Sequence, residues 1–228
     1  MIECSIAGRK CRLFGAERPM CLLVQPSARH ENGTLEAEAA QLTALAAKPF
    51  LLVTIELEDW TTGLMPWWDG NISRDPEAGK HGQETLSFLV DDLLPELESR
   101  YGVLPVILGG YSLGGLFALW ASCQTDRFRA VAAASPSVWI HGWMPFAKKH
   151  VPMAEAVYLS LGDREARTRN PVMARVADAI RKEDGRLQAQ GIRHRLEWNP
   201  GNHFQDPLGR TAKGILWVLE ETAQGKEV

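Results

Sequence analysis

The chain has 228 residues, of which 45% are hydrophobic and 23% charged, a composition that fits a folded globular protein and excludes a disordered one. Its formal net charge is -3, and its 25 Lys and Arg residues are scattered, so no basic stripe indicates a nucleic-acid-binding protein. We expect a single domain over residues 1–228.

No apolar run approaches the roughly 20 residues that a membrane-spanning helix needs, and Glu3 lies where a secretion signal would carry positive charge. The four cysteines lack CxxC spacing and lie in apolar runs, as reduced buried thiols do. No histidine spacing typical of a metal site occurs. The sequence therefore predicts a cytoplasmic protein with no metal, no cofactor, no membrane association and no nucleic-acid partner, and it does not indicate an oligomeric state.

The first elements are indicated by short apolar segments separated by turn residues. Gly8 and Arg9 lie between two such segments, residues 2–7 and 10–14, as in an antiparallel hairpin. A buried strand is predicted over residues 20–25 and another over 50–57. Between them, residues 35–47 are rich in Ala and Glu, and they predict a helix with Thr34 as the candidate cap.

The rest of the chain alternates between helical and strand patterns. Residues 82–101 carry apolar side chains at helical spacing, and Pro95 is expected to kink or end that helix. The further predicted elements are strands over 105–108, 130–134, 157–161 and 193–198, and helices over 113–123, 171–190 and 207–222. This alternation predicts an α/β fold with a mostly parallel central sheet and helices on both faces. Two aromatic-rich segments, 59–80 and 138–154, are predicted to be long loops beside the ligand crevice.

The most informative segment is Gly110-Tyr111-Ser112-Leu113-Gly114, a GxSxG pentapeptide between a predicted strand and a predicted helix. Gly110 and Gly114 leave room for a sharp turn that raises the Ser112 hydroxyl above the sheet. Ser112 is therefore the predicted nucleophile, and the Leu113 N–H at the helix N-terminus is the predicted oxyanion donor. The alternative is a tight turn with an inert serine.

A serine hydroxyl needs a base and the base needs a carboxylate, in the chain order Ser, acid, His of the α/β-hydrolase fold. His203, in a turn-rich loop before the last helix, is the predicted base, and His141 is its rival. Asp163 and Glu165 both follow the strand over 157–161. Glu165 is favoured because the acid often falls three residues after the glycine that ends this strand; Asp163, Asp206 and a Ser-His dyad are the alternatives.

The same residues resemble the putative-esterase family of α/β-hydrolases, which includes enterochelin (siderophore) esterases and S-formylglutathione hydrolases of the esterase D type. The resemblance covers roughly residues 50–204. It rests on FLVDDLLP at 88–95, GYSLGG at 110–115, ASPSVW at 134–139, the GDRE turn at 162–165 and GNH at 201–203. It implies an α/β-hydrolase fold without a large cap domain and a triad of Ser112, Glu165 and His203.

One departure from this resemblance concerns the oxyanion hole. Relatives often carry His-Gly and further glycines after the strand over 20–25, whereas this chain reads Gln25-Pro26-Ser27. Because Pro26 has no N–H, the second oxyanion donor is predicted to be the Ser27 N–H or the side chain of Gln25.

The predicted function is that of a serine esterase that cleaves a small carboxylic ester through an acyl-enzyme intermediate. Trp139, Trp67 and Trp68 lie in the predicted loops, where they would either form apolar walls for the substrate or anchor the loops. The alternative functions are an acyltransferase or thioesterase that uses the same triad, and a non-catalytic binding domain.

Overall fold

The computed structural model describes residues 1–28 and 32–224. The strands are β1 (Ile2–Ile6), β2 (Arg9–Gly15), β3 (Leu22–Ala28), β4 (Leu51–Leu57), β5 (Val106–Tyr111), β6 (Ala130–Ala134), β7 (Ala156–Gly162) and β8 (Arg193–Asn199). The helices are α1 (Asn32–Leu45), α2 (Trp60–Leu64), α3 (His81–Ser87), α4 (Leu94–Tyr101), α5 (Leu113–Ser122), α6 (Trp143–Ala147), α7 (Val176–Ala189) and α8 (Pro207–Gln224).

The strands form one sheet in the order β1-β2-β4-β3-β5-β6-β7-β8. The β1–β2 and β2–β4 pairs are antiparallel, and the other pairs are parallel. Ala7 and Gly8 form the β1–β2 turn with φ values of 45° and 81°, the left-handed pair that a two-residue hairpin requires. The predicted mostly parallel sheet with antiparallel N-terminal strands is confirmed.

Each face of the sheet buries its own hydrophobic cluster. On one face, α1 and α8 contribute Leu42 and Ile215, which pack against strand residues such as Ile107. On the other face, α5 and α7 contribute side chains such as Leu116 and Ile180. The prediction of helices on both faces is therefore confirmed, and residues 1–28 and 32–224 form no large cap.

The helix predicted over residues 82–101 continues past Pro95 instead of ending there. A π-helical segment, Phe88–Leu93, joins α3 to α4 and places Pro95 in the first turn of α4. Because the helical turns run without a break from α3 into α4, Pro95 lacks an N–H that would otherwise donate within the helix, and its ring would clash with the preceding turn of a regular α-helix. The wider π turn thus accommodates a residue that would otherwise break the helix.

Several predicted segments differ in detail from the structure; for example, α1 begins at Asn32, so Thr34 lies inside this helix and does not precede it as a cap. The segments over 59–80 and 138–154 are not plain loops, because each contains a short α-helix, α2 and α6. The helix predicted from residue 171 begins at Val176, after a 3-10 turn over Met173–Arg175. The side chain of Asn170 accepts hydrogen bonds from the N–H groups of Val172 and Met173, so the chain forms a turn there before it becomes α-helical.

Two helical glycines allow helix–sheet packing to be separated from helix propensity. A Cβ on Gly214 in α8 would lie 2.6 Å from Cδ1 of the fully buried Tyr158, whereas a Cβ on Gly185 in α7 would meet nothing within 4 Å. We expect Gly214→Ala to lower the free energy of unfolding by about 1–3 kcal/mol through overpacking. Gly185→Ala should raise it by about 0.5–1 kcal/mol.

Urea unfolding followed by tryptophan fluorescence measures both variants. Because the gain in helix propensity is similar at the two positions, the difference between the variants reports the close approach of α8 to the sheet. Equal effects of the two substitutions would contradict this packing.

Candidate active site

A sharp bend joins β5 to α5 at Ser112. This residue has φ 57° and ψ -115°, a conformation that a non-glycine residue rarely adopts. A Cβ on Gly110 would lie 2.4 Å from the carbonyl carbon of Gly114, so only glycine lets α5 pass this close to the end of β5. The GxSxG segment therefore forms the strand–turn–helix arrangement on which its interpretation depends.

Backbone hydrogen bonds hold this bend on both sides. The Ser112 N–H donates to the Ala134 carbonyl at the end of β6 (3.0 Å), and the Ser112 carbonyl accepts from the N–H groups of Leu116 and Ser137 (both 3.1 Å). Leu113 is the first residue of α5, so its N–H has no acceptor within the helix. This N–H belongs to the residue after Ser112 and lies at the positive end of the helix dipole.

The structure brings Ser112, His203 and Glu165 together. Nε2 of His203 lies 3.0 Å from Oγ of Ser112, and Nδ1 of His203 lies 2.7 Å from Oε2 of Glu165. Because an ionised carboxylate can only accept, Nδ1 carries the proton and donates to Glu165, which leaves Nε2 as the acceptor for the Ser112 hydroxyl. This is the tautomer that a general base needs.

Glu165 is enclosed by hydrogen-bond donors. Besides His203, its carboxylate accepts from the Gly162 N–H (2.7 Å), the Ser135 hydroxyl (2.8 Å) and Nη1 of Arg210 (2.9 Å). Burial raises the pKa of Glu165, but the hydrogen bonds from His203, Gly162 and Ser135 outweigh burial, so the pKa lies below its ordinary value. Glu165 is therefore a carboxylate at neutral pH.

Asp163, the alternative acid, binds the backbone of the His203 loop instead of the imidazole. Its Oδ1 accepts from the Gly201 N–H at 2.8 Å. Gly201 has φ 105°, a left-handed value that favours glycine, and this turn carries the chain from β8 towards His203. His141, the rival base, is exposed, and its backbone N–H donates to the buried Asp69 at 2.7 Å.

The predicted second oxyanion donors point away from Ser112. β3 continues through Pro26 and Ser27 to Ala28, whereas the prediction ended this strand at Gln25. The Cys21 carbonyl accepts a hydrogen bond from β4. Alternate residues of a parallel strand bond the same neighbouring strand, so Ser27, six residues after Cys21, also directs its N–H towards β4.

The side chains of the two candidates are also engaged elsewhere. The Ser27 hydroxyl donates to the Ile55 carbonyl at 3.1 Å, and Nε2 of Gln25 donates to Glu38 at 3.1 Å. The geometry therefore does not support the predicted role of Ser27. The pairing of β3 with β5 ends at Val24. Pro26 faces β5 beyond this point, so its missing N–H removes no hydrogen bond between the two strands.

The three predicted substrate-binding tryptophans lie in the segments that contain α2 and α6. Trp67 donates its indole N–H to the His141 carbonyl at 2.7 Å and so ties the two segments together. Trp68 donates to the Ser73 carbonyl at 3.0 Å and is 48% exposed, and Trp139 packs half-buried against the core. The indole N–H groups of Trp67 and Trp68 thus anchor loops, and a role in substrate binding stays a prediction.

Four residues next to the site were given no role by the sequence reasoning. Ser137 places its Oγ 3.4 Å from Oγ of Ser112, and Tyr111 donates its hydroxyl to the His203 carbonyl at 2.7 Å. Ser135 and Arg210 bind Glu165 as described above. The two serines that flank Pro136 were the signal in the sequence, whereas Arg210 gave none, because Lys213 and Glu221 also lie on its side of α8.

Neither a metal centre nor a membrane span is found in the described part of the chain. Within residues 1–28 and 32–224, no group of three His, Cys, Asp or Glu side chains could hold a metal ion. Within the same residues, no helix combines the length and the apolar character that crossing a bilayer requires. The predicted cytoplasmic location stays a prediction.

A family model described as Putative esterase matches residues 27–206, which is most of the chain. The chain belongs to this esterase family. The resemblance found in the sequence is therefore confirmed, and the protein is an esterase with the fold of the α/β serine hydrolases. A search of curated proteins found no match.

The solved structures similar to this esterase share its fold at low sequence identity. The siderophore hydrolase EstA from Aspergillus nidulans matches with a TM-score of 0.74 and 20% identity over 97% of this chain and 94% of that chain. An IroE-like serine hydrolase from Shewanella oneidensis matches with a TM-score of 0.72 and 15% identity over 93% and 76%. The enterobactin esterase FES from Shigella flexneri has a TM-score of 0.67 and 18% identity over 97% and 59%.

The two candidate acids of the esterase can be separated by matched amide substitutions. In Glu165→Gln the side chain keeps its shape but loses the negative charge opposite Nδ1 of His203. The kcat for a small aryl ester should therefore fall by about 10²- to 10⁴-fold. In Asp163→Asn the oxygen that accepts from Gly201 is kept, so kcat should stay within about threefold of the wild type.

Steady-state hydrolysis of the aryl ester, with the melting temperature of each variant as the control for folding, gives both values. A large loss in Asp163→Asn together with a small loss in Glu165→Gln would reassign the acid.

Proposed function

We propose that this esterase cleaves a carboxylic ester by transferring its acyl group first to Ser112 and then to water. The observation that carries this proposal is the continuous hydrogen-bonded path from Oγ of Ser112 through His203 to Oε2 of Glu165, with distances of 3.0 Å and 2.7 Å. One domain would carry out the reaction, because the three side chains follow strands of a single sheet.

In the first step, Oγ of Ser112 attacks the ester carbonyl carbon while Nε2 of His203 takes the hydroxyl proton. The imidazolium that forms is stabilised by the Glu165 carboxylate on Nδ1. When the C–O bond of the ester breaks, His203 returns its proton to the leaving alcohol, and the acyl group stays on Ser112 as an ester.

In the second step, water attacks the acyl carbon and gives its proton to the same nitrogen of His203. The tetrahedral intermediate collapses, the carboxylic acid leaves, and Ser112 regains its proton from His203. These proton transfers call for no metal ion and no organic cofactor. The same proton path would also allow cleavage of a thioester, or transfer of the acyl group to an alcohol instead of water. The test of the reaction therefore includes identification of the products.

Negative charge develops on the carbonyl oxygen in both tetrahedral intermediates. The N–H of Leu113 is the donor proposed to bind this oxyanion, because it opens α5 directly beside the attacking hydroxyl. The dipole of the ten-residue helix α5 adds a positive end at the same point.

The names of the similar structures suggest which esters to test. They include siderophore hydrolases, an enterobactin esterase and a ferulic acid esterase, so a panel should contain a siderophore ester, a feruloyl ester and aryl esters of increasing acyl length. The segments that contain Trp67, Trp68 and Trp139 are proposed to border the bound acyl or aryl group.

Replacement of the nucleophile tests the proposal. Ser112→Ala removes the atom that accepts the acyl group, so ester hydrolysis should fall by at least about 10³-fold on every ester that the wild type cleaves. Ser122→Ala is the matched control, because Ser122 lies at the other end of α5 and its hydroxyl donates to the Leu119 carbonyl, away from His203 and Glu165. Its kcat should stay within about threefold of the wild type.

Initial rates on the ester panel, with release of the free acid followed by chromatography, provide the measurement. Hydrolysis at the wild-type rate by Ser112→Ala would refute the assignment of Ser112. Formation of a new ester instead of the free acid would replace hydrolysis by acyl transfer.

A further inference from the structure

A buried arginine lies behind the proposed acid. Arg210 is in the first turn of α8, and its side chain is only 2% exposed, although it carries a positive charge. A buried guanidinium needs both a counter-charge and hydrogen-bond acceptors, because removing it from water is costly. Arg210 finds both in the residues that surround the proposed triad.

The guanidinium contacts three parts of the site at once. Nη1 donates to Oε1 of Glu165 (2.9 Å) and to the hydroxyl of Tyr111 (3.2 Å), the residue before Ser112. Nη2 donates to the Pro200 carbonyl (2.9 Å), three residues before His203. One side chain thus joins the acid, the end of β5 and the loop that carries the base.

The two carboxylate oxygens of Glu165 have different hydrogen-bond partners. Oε1 accepts from Arg210, Ser135 and the Gly162 N–H, whereas Oε2 accepts from Nδ1 of His203. The carboxylate is held by one oxygen and therefore presents the other to the imidazole in a single orientation.

We propose that Arg210 is a positioning residue of this esterase, which acts through Glu165 and the His203 loop without touching the substrate. This inference rests on the proposed function of Ser112, His203 and Glu165. It assigns to Arg210 two separable effects: a geometric effect, from the fork that binds Glu165 and Pro200 together, and an electrostatic effect, from the charge opposite Glu165.

The electrostatic effect has a definite sign. The charged and titratable side chains next to the Glu165–His203 pair include Arg210 from α8, Tyr111 from β5, and Asp163 and Arg164 from the turn after β7. Without the cation, the negative charge of Glu165 is less compensated and favours protonated His203, which cannot act as a base. Loss of the cation should therefore move the acid limb of the pH–rate profile to higher pH.

Two substitutions of Arg210 separate the two effects. Arg210→Gln removes the charge and the fork, so kcat should fall by about 100-fold and the acid limb should rise by about 0.5–1 pH unit. Arg210→Lys keeps the charge but offers no planar fork, so kcat should fall by about tenfold with the acid limb within about 0.2 unit of the wild type. KM should change less than threefold in both variants, because the side chain does not touch the substrate.

Lys213→Gln is the matched control. Lys213 lies one turn further along α8, and its half-exposed side chain pairs with Glu197 and with the Oδ1 of Asn199 in β8, so its loss removes a cation from the same helix that contacts neither Glu165 nor His203. Its kcat and pH profile should equal those of the wild type. All rates are divided by the number of active sites that react to completion with a fluorophosphonate.

A merely structural arginine would give a different result. The variants would then lose melting temperature or active sites, but kcat per active site and the acid limb would stay at the wild-type values, and the inference would be overturned. If Arg210→Gln does not fold, Arg210→Lys decides the question, since an unchanged kcat per active site in that variant would also overturn it.

Failure of this inference can be told from failure of the proposed function. If Ser112→Ala hydrolyses esters as the wild type does, the proposed function is wrong. If Ser112→Ala is inactive while both Arg210 variants have the wild-type kcat per active site, only the role of Arg210 is wrong.

Discussion

The bend at Ser112 is the constraint from which the geometry of the proposed site follows. Holding a non-glycine residue in this conformation costs on the order of 1–3 kcal/mol. Three backbone hydrogen bonds maintain it. The Ser112 N–H donates to β6, and the Ser112 carbonyl accepts one N–H from α5 and one from the segment after β6. The helix starts at the next residue, so the same bend carries the Ser112 hydroxyl and places the Leu113 N–H at the free N-terminus of α5. The proposed nucleophile and the proposed oxyanion donor therefore belong to one turn.

The parallel sheet explains how the other two groups reach this turn. The carboxyl ends of β5, β7 and β8 lie at one edge, so residues separated by 91 and 38 positions in the chain come within hydrogen-bond distance. Backbone hydrogen bonds also join the turn after β7 to the loop after β8. The Asp163 N–H donates to the Asn199 carbonyl at 2.8 Å, and the Arg164 N–H donates to the Gly201 carbonyl at 3.0 Å. Acid and base are thus held by the same pair of neighbouring strands, with Arg210 behind them.

Periodicity and the GxSxG motif were sufficient to predict the sheet, the helices and the strand–turn–helix position of Ser112, because these depend on local pattern. The choice between Glu165 and Asp163 stayed open, since both follow the same strand and only the distance to the imidazole distinguishes them. The predicted strand ended with the apolar run at Gln25, so Ser27 was placed after it; in the structure, pairing with β4 alone lets the strand continue to Ala28. Arg210 had no predicted role, since a charged residue in an amphipathic helix is normally solvent-exposed.

The central claim is that Oγ of Ser112 is made nucleophilic by His203. Reaction with a fluorophosphonate, followed by peptide mapping and by the rate of adduct formation, tests it most directly. The account predicts one adduct, on Ser112, which forms at least about 100-fold more slowly in His203→Ala. An adduct on another residue, or the same rate of labelling in both proteins, would contradict it.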